Sequence, residues 1–145
     1  MILWRAARRP YADLSGKGGL VHSGRWHSEG RPVVYTAEHP ALALLEVRVN
    51  LDLPLELIPE DYVMMKIRLP ENLVAKLTSI SPANEKSARK FGDTWLANAE
   101  TVLLKVQSAI VPESYNYLIN PDHADAKAIK IESAKPFGFD ARLFR

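Results

Sequence analysis

Cysteine is absent from this 145-residue chain. That excludes disulfides, zinc–thiolate sites and thiol nucleophiles. A charge excess is missing too: 19 Lys and Arg stand against 17 Asp and Glu, a formal net charge of +2. The basic residues are scattered, and the densest group, Arg5, Arg8 and Arg9, is too small for a nucleic-acid footprint. No long apolar run occurs. The longest lies between Pro40 and Val49 and is interrupted by Glu46, far short of the ~20 residues that span a bilayer. Met1 leads into a strand-like run without a signal-peptide pattern. A protein of the cytoplasm, with no membrane and no direct nucleic-acid partner, is the expectation.

The composition is that of an ordinary globular protein, 47% hydrophobic and 25% charged. Its length favours a single domain over residues 1–145. Ile2–Ala7 reads as a buried opening strand carrying Trp4 and Arg5. Leu14–Gly19 is a glycine-rich loop without P-loop spacing and with no helix expected after it. Gly24–His27 reads as a short strand and Ser28–Pro32 as a turn, followed by a β-branched strand over Pro32–Ala37. Pro40 suits the first turn of a helix that runs to about Asn50, apolar nearly all round and therefore central.

Further strands are expected at Tyr62–Leu69, Thr101–Val106, Tyr115–Ile119, Ala128–Ser133 and Phe137–Leu143. Glu71–Leu77 reads as a helical turn, Asn84–Ala99 as an amphipathic helix containing Gly92, and Asn120–Asp125 as a short helix or turn. Regular βα alternation is absent. The expected class is α+β, with curved, mainly antiparallel sheets around a cleft.

Glu46 is the most informative residue, because it sits on a mostly apolar helical surface. A buried carboxylate must be paired or face a cleft. Arg25 is the expected partner. Two readings stand level: an Arg25–Glu46 pair that fixes the fold, or a cleft carboxylate that stabilises positive charge in a reaction. Tyr35 lies mid-strand and reads first as core, as do Trp4, Trp26 and Trp95. Ser108 closes a strand, but none of His22, His27, His39 and His123 falls in a nucleophile elbow or a metal-ligand spacing. Asn116, in an otherwise apolar strand, calls for a hydrogen-bond partner across the sheet or on a ligand.

Taken together, the ordered blocks W-R-A-A-R (4–8), G-R-W (24–26), P-V-V-Y-T-A-E (32–38), A-L-A-L-L-E (41–46), Q-S-A-I-V-P (107–112), N-Y-L-I-N-P (116–121) and F-D-A-R-L (139–143) resemble the RES domain family. Arg25, Tyr35, Glu46 and Ser108 fall on the family's named polar positions. The chain departs from the usual pattern at Ser23, His27, Gln107 and Ala124. The resemblance implies an ADP-ribosyltransferase-like fold and a type II toxin–antitoxin toxin. NAD is the implied substrate, cleaved without a metal at the nicotinamide–ribose bond, or its ADP-ribose is transferred to a protein. It also implies an Xre-type helix-turn-helix antitoxin that occludes the cleft in a hetero-oligomer. On this reading Arg25, Tyr35, Glu46 and Ser108 are catalytic, while Arg5, Trp26 and Asn116 contact the dinucleotide. Water, phosphate and protein remain open as acceptors, and a non-catalytic binding domain remains the rival.

Overall fold

The computed structural model describes residues 1–145. Seven strands form one sheet: β1 (Ile2–Arg8), β2 (Val34–Ala37), β3 (Tyr62–Arg68), β4 (Ala75–Leu77), β5 (Leu103–Gln107), β6 (Tyr115–Ile119) and β7 (Lys130–Pro136). Their order is β4-β5-β6-β2-β1-β3-β7. Every pairing is antiparallel except β4 with β5. The helices are α1 (Gly18–Val21), α2 (Pro40–Asn50) and α3 (Glu85–Asn98). The α+β class with a mainly antiparallel sheet is borne out. No helix is long and apolar enough to cross a membrane.

The sheet is zipped unevenly. β1 and β3 share seven register pairs from Ile2↔Arg68 to Arg8↔Tyr62. β1 and β2 share one, Trp4↔Ala37. Beyond that pair the two halves of the sheet diverge, and the backbone groups left there need other partners. Arg5 supplies one, its Nη1 donating to the Tyr35 carbonyl at 3.0 Å.

Alternation along the strands sends apolar side chains to both faces. On one face Leu3, Val34, Val63, Met65, Ile67, Leu103 and Ile119 form a core closed by loop residues such as Leu14, Leu73 and Ala126. The opposite face takes α2 and α3. α2 seats Leu42 and Ala43 against Ala6 and Ala37, in the middle of the sheet. Its outer side is not buried, and Val49 is 57% exposed. α3 packs Ala88, Trp95 and Leu96 on Leu104, Val106 and Leu118, with Trp26 between. The C-terminal tail straps α2: Arg48 Nε donates to the Leu143 carbonyl at 2.8 Å, and its guanidinium lies 4.1 Å from the Phe144 ring centroid.

Four local expectations are corrected. The glycine-rich loop does lead into a short helix, α1, because the chain turns back there to hydrogen-bond Gly30 N to Gly19 O. Glu71–Leu77 ends in strand β4, since α3 makes a crossover that lays β4 parallel beside β5. Phe137–Leu143 adds no strand, and Ala141–Phe144 is a 3₁₀ turn capped by Asp140, with Phe137, Phe139 and Phe144 gathered edge-to-face. Gly24–His27 is a tight turn closed by a single bridge rather than a strand.

Gly92, a poor residue for a helix interior, has a specific cause. A Cβ there would overlap the Trp26 carbonyl oxygen, so α3 touches the Gly24–His27 turn backbone to side. Gly92→Ala should therefore lower stability by about 2 kcal/mol or more. Ala99, left-handed at φ 47° after α3, should gain up to about 1 kcal/mol as Ala99→Gly. Urea denaturation of the two variants checks both signs.

Candidate active site

Between α2 and α3 opens a cleft of about 540 Å³, within the range of small-molecule sites. Its floor is the diverging part of β1 and β2 with Asn116 of β6, and its rim is formed by α1, the Gly24–His27 turn and the Ala109–Ile110 loop. Its charged lining residues are Arg5, Arg25, Arg89, Glu46 and Glu85. No group of three or more His, Asp and Glu side chains gathers to hold a metal.

Glu46 projects from α2 and is held by one oxygen. Its Oε1 accepts from Ser108 Oγ at 2.9 Å and from Asn116 Nδ2 at 2.7 Å. Ser108, 1% exposed, is itself fixed, its Oγ accepting from Ile110 N and Val111 N, both at 3.1 Å. The hydroxyl proton is thereby committed to Glu46. The second carboxylate oxygen has no protein partner and belongs to the cleft wall. A carboxylate aimed this way costs no reorganisation when positive charge develops before it.

The expected Arg25–Glu46 pair does not form. Arg25 Nη1 donates to the Pro82 carbonyl at 2.6 Å and meets Glu85 Oε1 at 3.2 Å. The turn folds against the start of α3 rather than against α2. Ser108 lies behind Glu46, outside the cleft lining, with its hydroxyl turned to the carboxylate. Trp26 lines the cleft, but it is 3% exposed and packs in the core under α3.

Tyr35 points its hydroxyl at the arginine turn. It accepts from Trp26 N at 3.1 Å and lies 2.7 Å from His27 Nδ1. His27 Nε2 sits 2.9 Å from the His22 carbonyl, which can only accept. Nε2 therefore carries the proton, and Nδ1 accepts from Tyr35. A Cβ on Gly24 would lie 2.5 Å from the same hydroxyl, so glycine is required for this close approach. Burial pushes the Tyr35 phenol well above its ordinary range, keeping it a proton donor. Burial also lowers the His27 value, reinforced by Arg89 and opposed by the His22 and Gly19 carbonyls and Asp93.

Arg5 fills the gap between β1 and β2. Burial holds its guanidinium below the ordinary value, with Asp13 pulling weakly the other way. Its Nε and the Oδ1 of Asn116 are the two buried polar side-chain atoms without a hydrogen-bond partner. A half-buried cation with an unpartnered nitrogen at a cleft floor is the kind of group an anionic ligand stabilises.

Residues 2–140 match the RES domain family. The chain belongs to the RES family. Among its relatives is Toxin Res of Pseudomonas putida KT2440, 45% identical over 99% of this chain and 100% of that protein. Another is the Prs ADP-ribosylating toxin of Sphingobium sp. YBL2, 38% identical over 98% of this chain and 96% of that protein. The fold is similar to a chain in the crystal structure of the M. tuberculosis MbcT–MbcA toxin–antitoxin complex, with TM-score 0.72 and 12% identity, covering 99% of this chain and 86% of that one. The RES chain thus shares its α+β fold with a chain of that complex.

Of the sequence-selected residues, the structure brings Glu46, Ser108 and Asn116 into hydrogen-bonding contact. It sets Arg25 and Tyr35 on the facing wall and Arg5 at the floor. Sequence reasoning missed His27 as Tyr35's acceptor and the polar stripe of α3. That stripe holds the arginine turn: Arg89 Nε donates to Gly24 O at 3.2 Å, and Asp93 accepts from Ser28 N at 2.8 Å and from Ser28 Oγ at 2.5 Å. The available signal was spacing, since residues 85, 89, 92 and 93 share one helical face.

His27 carries a pH dependence. Its folded-state value lies below the ordinary 6.5, so the unfolded chain binds the proton first as pH falls. Its stabilising contribution is complete above about pH 6.5 and is lost as pH drops towards the folded-state value. His27→Asn should flatten the fall of Tm as pH drops below about 6.5. Melting curves at half-unit pH steps, compared with the wild type, measure this.

Proposed function

We propose that this RES protein is an NAD-consuming toxin of a toxin–antitoxin pair, acting in the cytoplasm by cleaving the nicotinamide–ribose bond. One observation carries the reading: Glu46 has one oxygen fixed by Ser108 and Asn116 and the other free in a cleft lined by three arginines. As the bond to nicotinamide breaks, its electron pair leaves with the ring nitrogen and the ribose gains oxocarbenium character. The free oxygen of Glu46 stabilises that charge, which is absent from the ground state. Arg5 and Arg25 hold the pyrophosphate oxygens. The Tyr35 ring, half-buried on the wall, packs against the nicotinamide. Water or phosphate then adds at the ribose carbon, and the proton lost from water goes to solvent or to Glu46.

The names of the Res relatives support the toxin reading. An antitoxin that plugs the cleft, of the Xre helix-turn-helix type, is the partner proposed. The exposed Leu20 and Val21 of α1 and Val49 of α2 offer it apolar anchorage at the cleft mouth. Transfer of ADP-ribose to a protein is the second reading, favoured by the relative named as an ADP-ribosylating toxin.

Purified protein, freed of any partner, should deplete NAD. Glu46→Gln, which keeps an oxygen for Ser108 and Asn116 to bond, should slow this about 100-fold or more with its melting curve retained. NAD labelled in its adenosine half assigns the acceptor: free labelled ADP-ribose means water, its 1-phosphate means phosphate, and labelled protein means transfer. A wild type that leaves NAD intact with phosphate, without phosphate and with cell extract would overturn the proposal.

A further inference from the structure

Arg89 is a guanidinium that nothing in the site neutralises. It lies half-buried on α3 and lines the cleft. Its Nε is committed to the Gly24 carbonyl at 3.2 Å, which leaves both terminal nitrogens without a protein partner. The carboxylates one turn away on either side are engaged elsewhere. Glu85 pairs with Arg25 at 3.2 Å. Asp93 accepts from Ser28 and pairs with Arg31 at 3.3 Å. Arg89 itself makes no ion pair.

Arg25 is the neighbouring cation, because the Gly24 carbonyl that holds Arg89 belongs to the residue before it. Both line the same cleft, the turn being held by Arg89 through its backbone and by Arg25 through Pro82 and Glu85, and like charges sharing one wall carry an electrostatic cost. Glu85 offsets part of it: its side chain is 60% exposed, its contact with Arg25 is peripheral, and it is free to swing into solvent. Planar guanidiniums with free terminal nitrogens match phosphate oxygens bidentately.

We infer that Arg89 joins Arg25 in a two-arginine subsite for one phosphate of a diphosphate group at the α3 end of the cleft, with Glu85 as the carboxylate that the phosphate displaces. This rests on the dinucleotide reading and deepens it. Arg5 then serves the phosphate nearer Glu46, and the α3 pair the phosphate on the adenosine side. Glu85 makes the subsite selective: a neutral ligand leaves the Arg25–Glu85 contact in place, whereas a diphosphate replaces it with stronger charge-assisted bonds.

The two variants Arg89→Gln and Glu85→Gln separate this from a merely structural role for α3. Binding of inorganic pyrophosphate and of ADP-ribose to the purified protein would be measured by calorimetry at low and high salt, and KM for NAD alongside. Arg89→Gln should weaken both ligands about tenfold or more, flatten the salt dependence, and raise KM more than it lowers kcat. Glu85→Gln should tighten both ligands severalfold, a gain that loss of structure cannot produce. Unchanged binding in Arg89→Gln, or weaker binding in Glu85→Gln, would overturn the subsite. If NAD is not consumed yet pyrophosphate binding shifts in these opposite directions, the subsite stands and the cleavage reading fails. If NAD is consumed and neither variant moves binding, the subsite fails alone.

Discussion

A single ladder pair, Trp4↔Ala37, joins the two halves of the sheet, and the rest of the site depends on that narrow junction. Full zipping of β1 to β2 would close the floor of the cleft and leave no room for Arg5. With the strands diverging, the Tyr35 carbonyl takes its hydrogen bond from Arg5 Nη1, and a half-buried cation stands where a backbone bond would otherwise lie. Burying that charge is unfavourable, and the cores on both faces of the sheet hold it there.

Two separate supports converge on the cleft from opposite sides. α2 delivers Glu46, and the strand end at Ser108 with Asn116 of β6 sets its rotamer. α3 delivers a polar stripe that grips the Gly24–His27 turn, and Tyr35 and His27 hold the turn from beneath. Arg25 and Glu46 therefore face each other without neutralising each other. A direct pair would be a satisfied structural element with nothing left for a ligand. Keeping them apart leaves the carboxylate one free oxygen and leaves the arginine wall without that counter-charge.

Local pattern predicted much of the fold correctly. The β-branched run before Ala37, the proline-initiated helix at Pro40 and the Tyr115–Ile119 strand depend on near-neighbour preferences and were legible as such. The short edge strand β4 was not, because Ala75–Leu77 is extended only through its neighbour β5. Phe137–Leu143 reads as a strand in sequence, yet aromatic packing and the Arg48 strap keep it off the sheet.

Residue types and order by themselves determined the α+β class, the family and the polar set Arg25, Tyr35, Glu46, Ser108 and Asn116, since these are properties of spacing along the chain. Tertiary structure alone decided which of them touch. Whether Arg25 meets Glu46 or Glu85 depends on which helix the turn packs against, and that is settled by the carbonyl of Trp26 fitting over Gly92. Whether Ser108 touches a ligand or stands behind a carboxylate depends on a few ångströms of depth between β5 and α2. Arg89, to which the sequence reading assigned no role, is a cleft residue whose Nε holds the Gly24 carbonyl. Contacts between residues sixty positions apart are set by the packing of whole elements, and no local propensity encodes them.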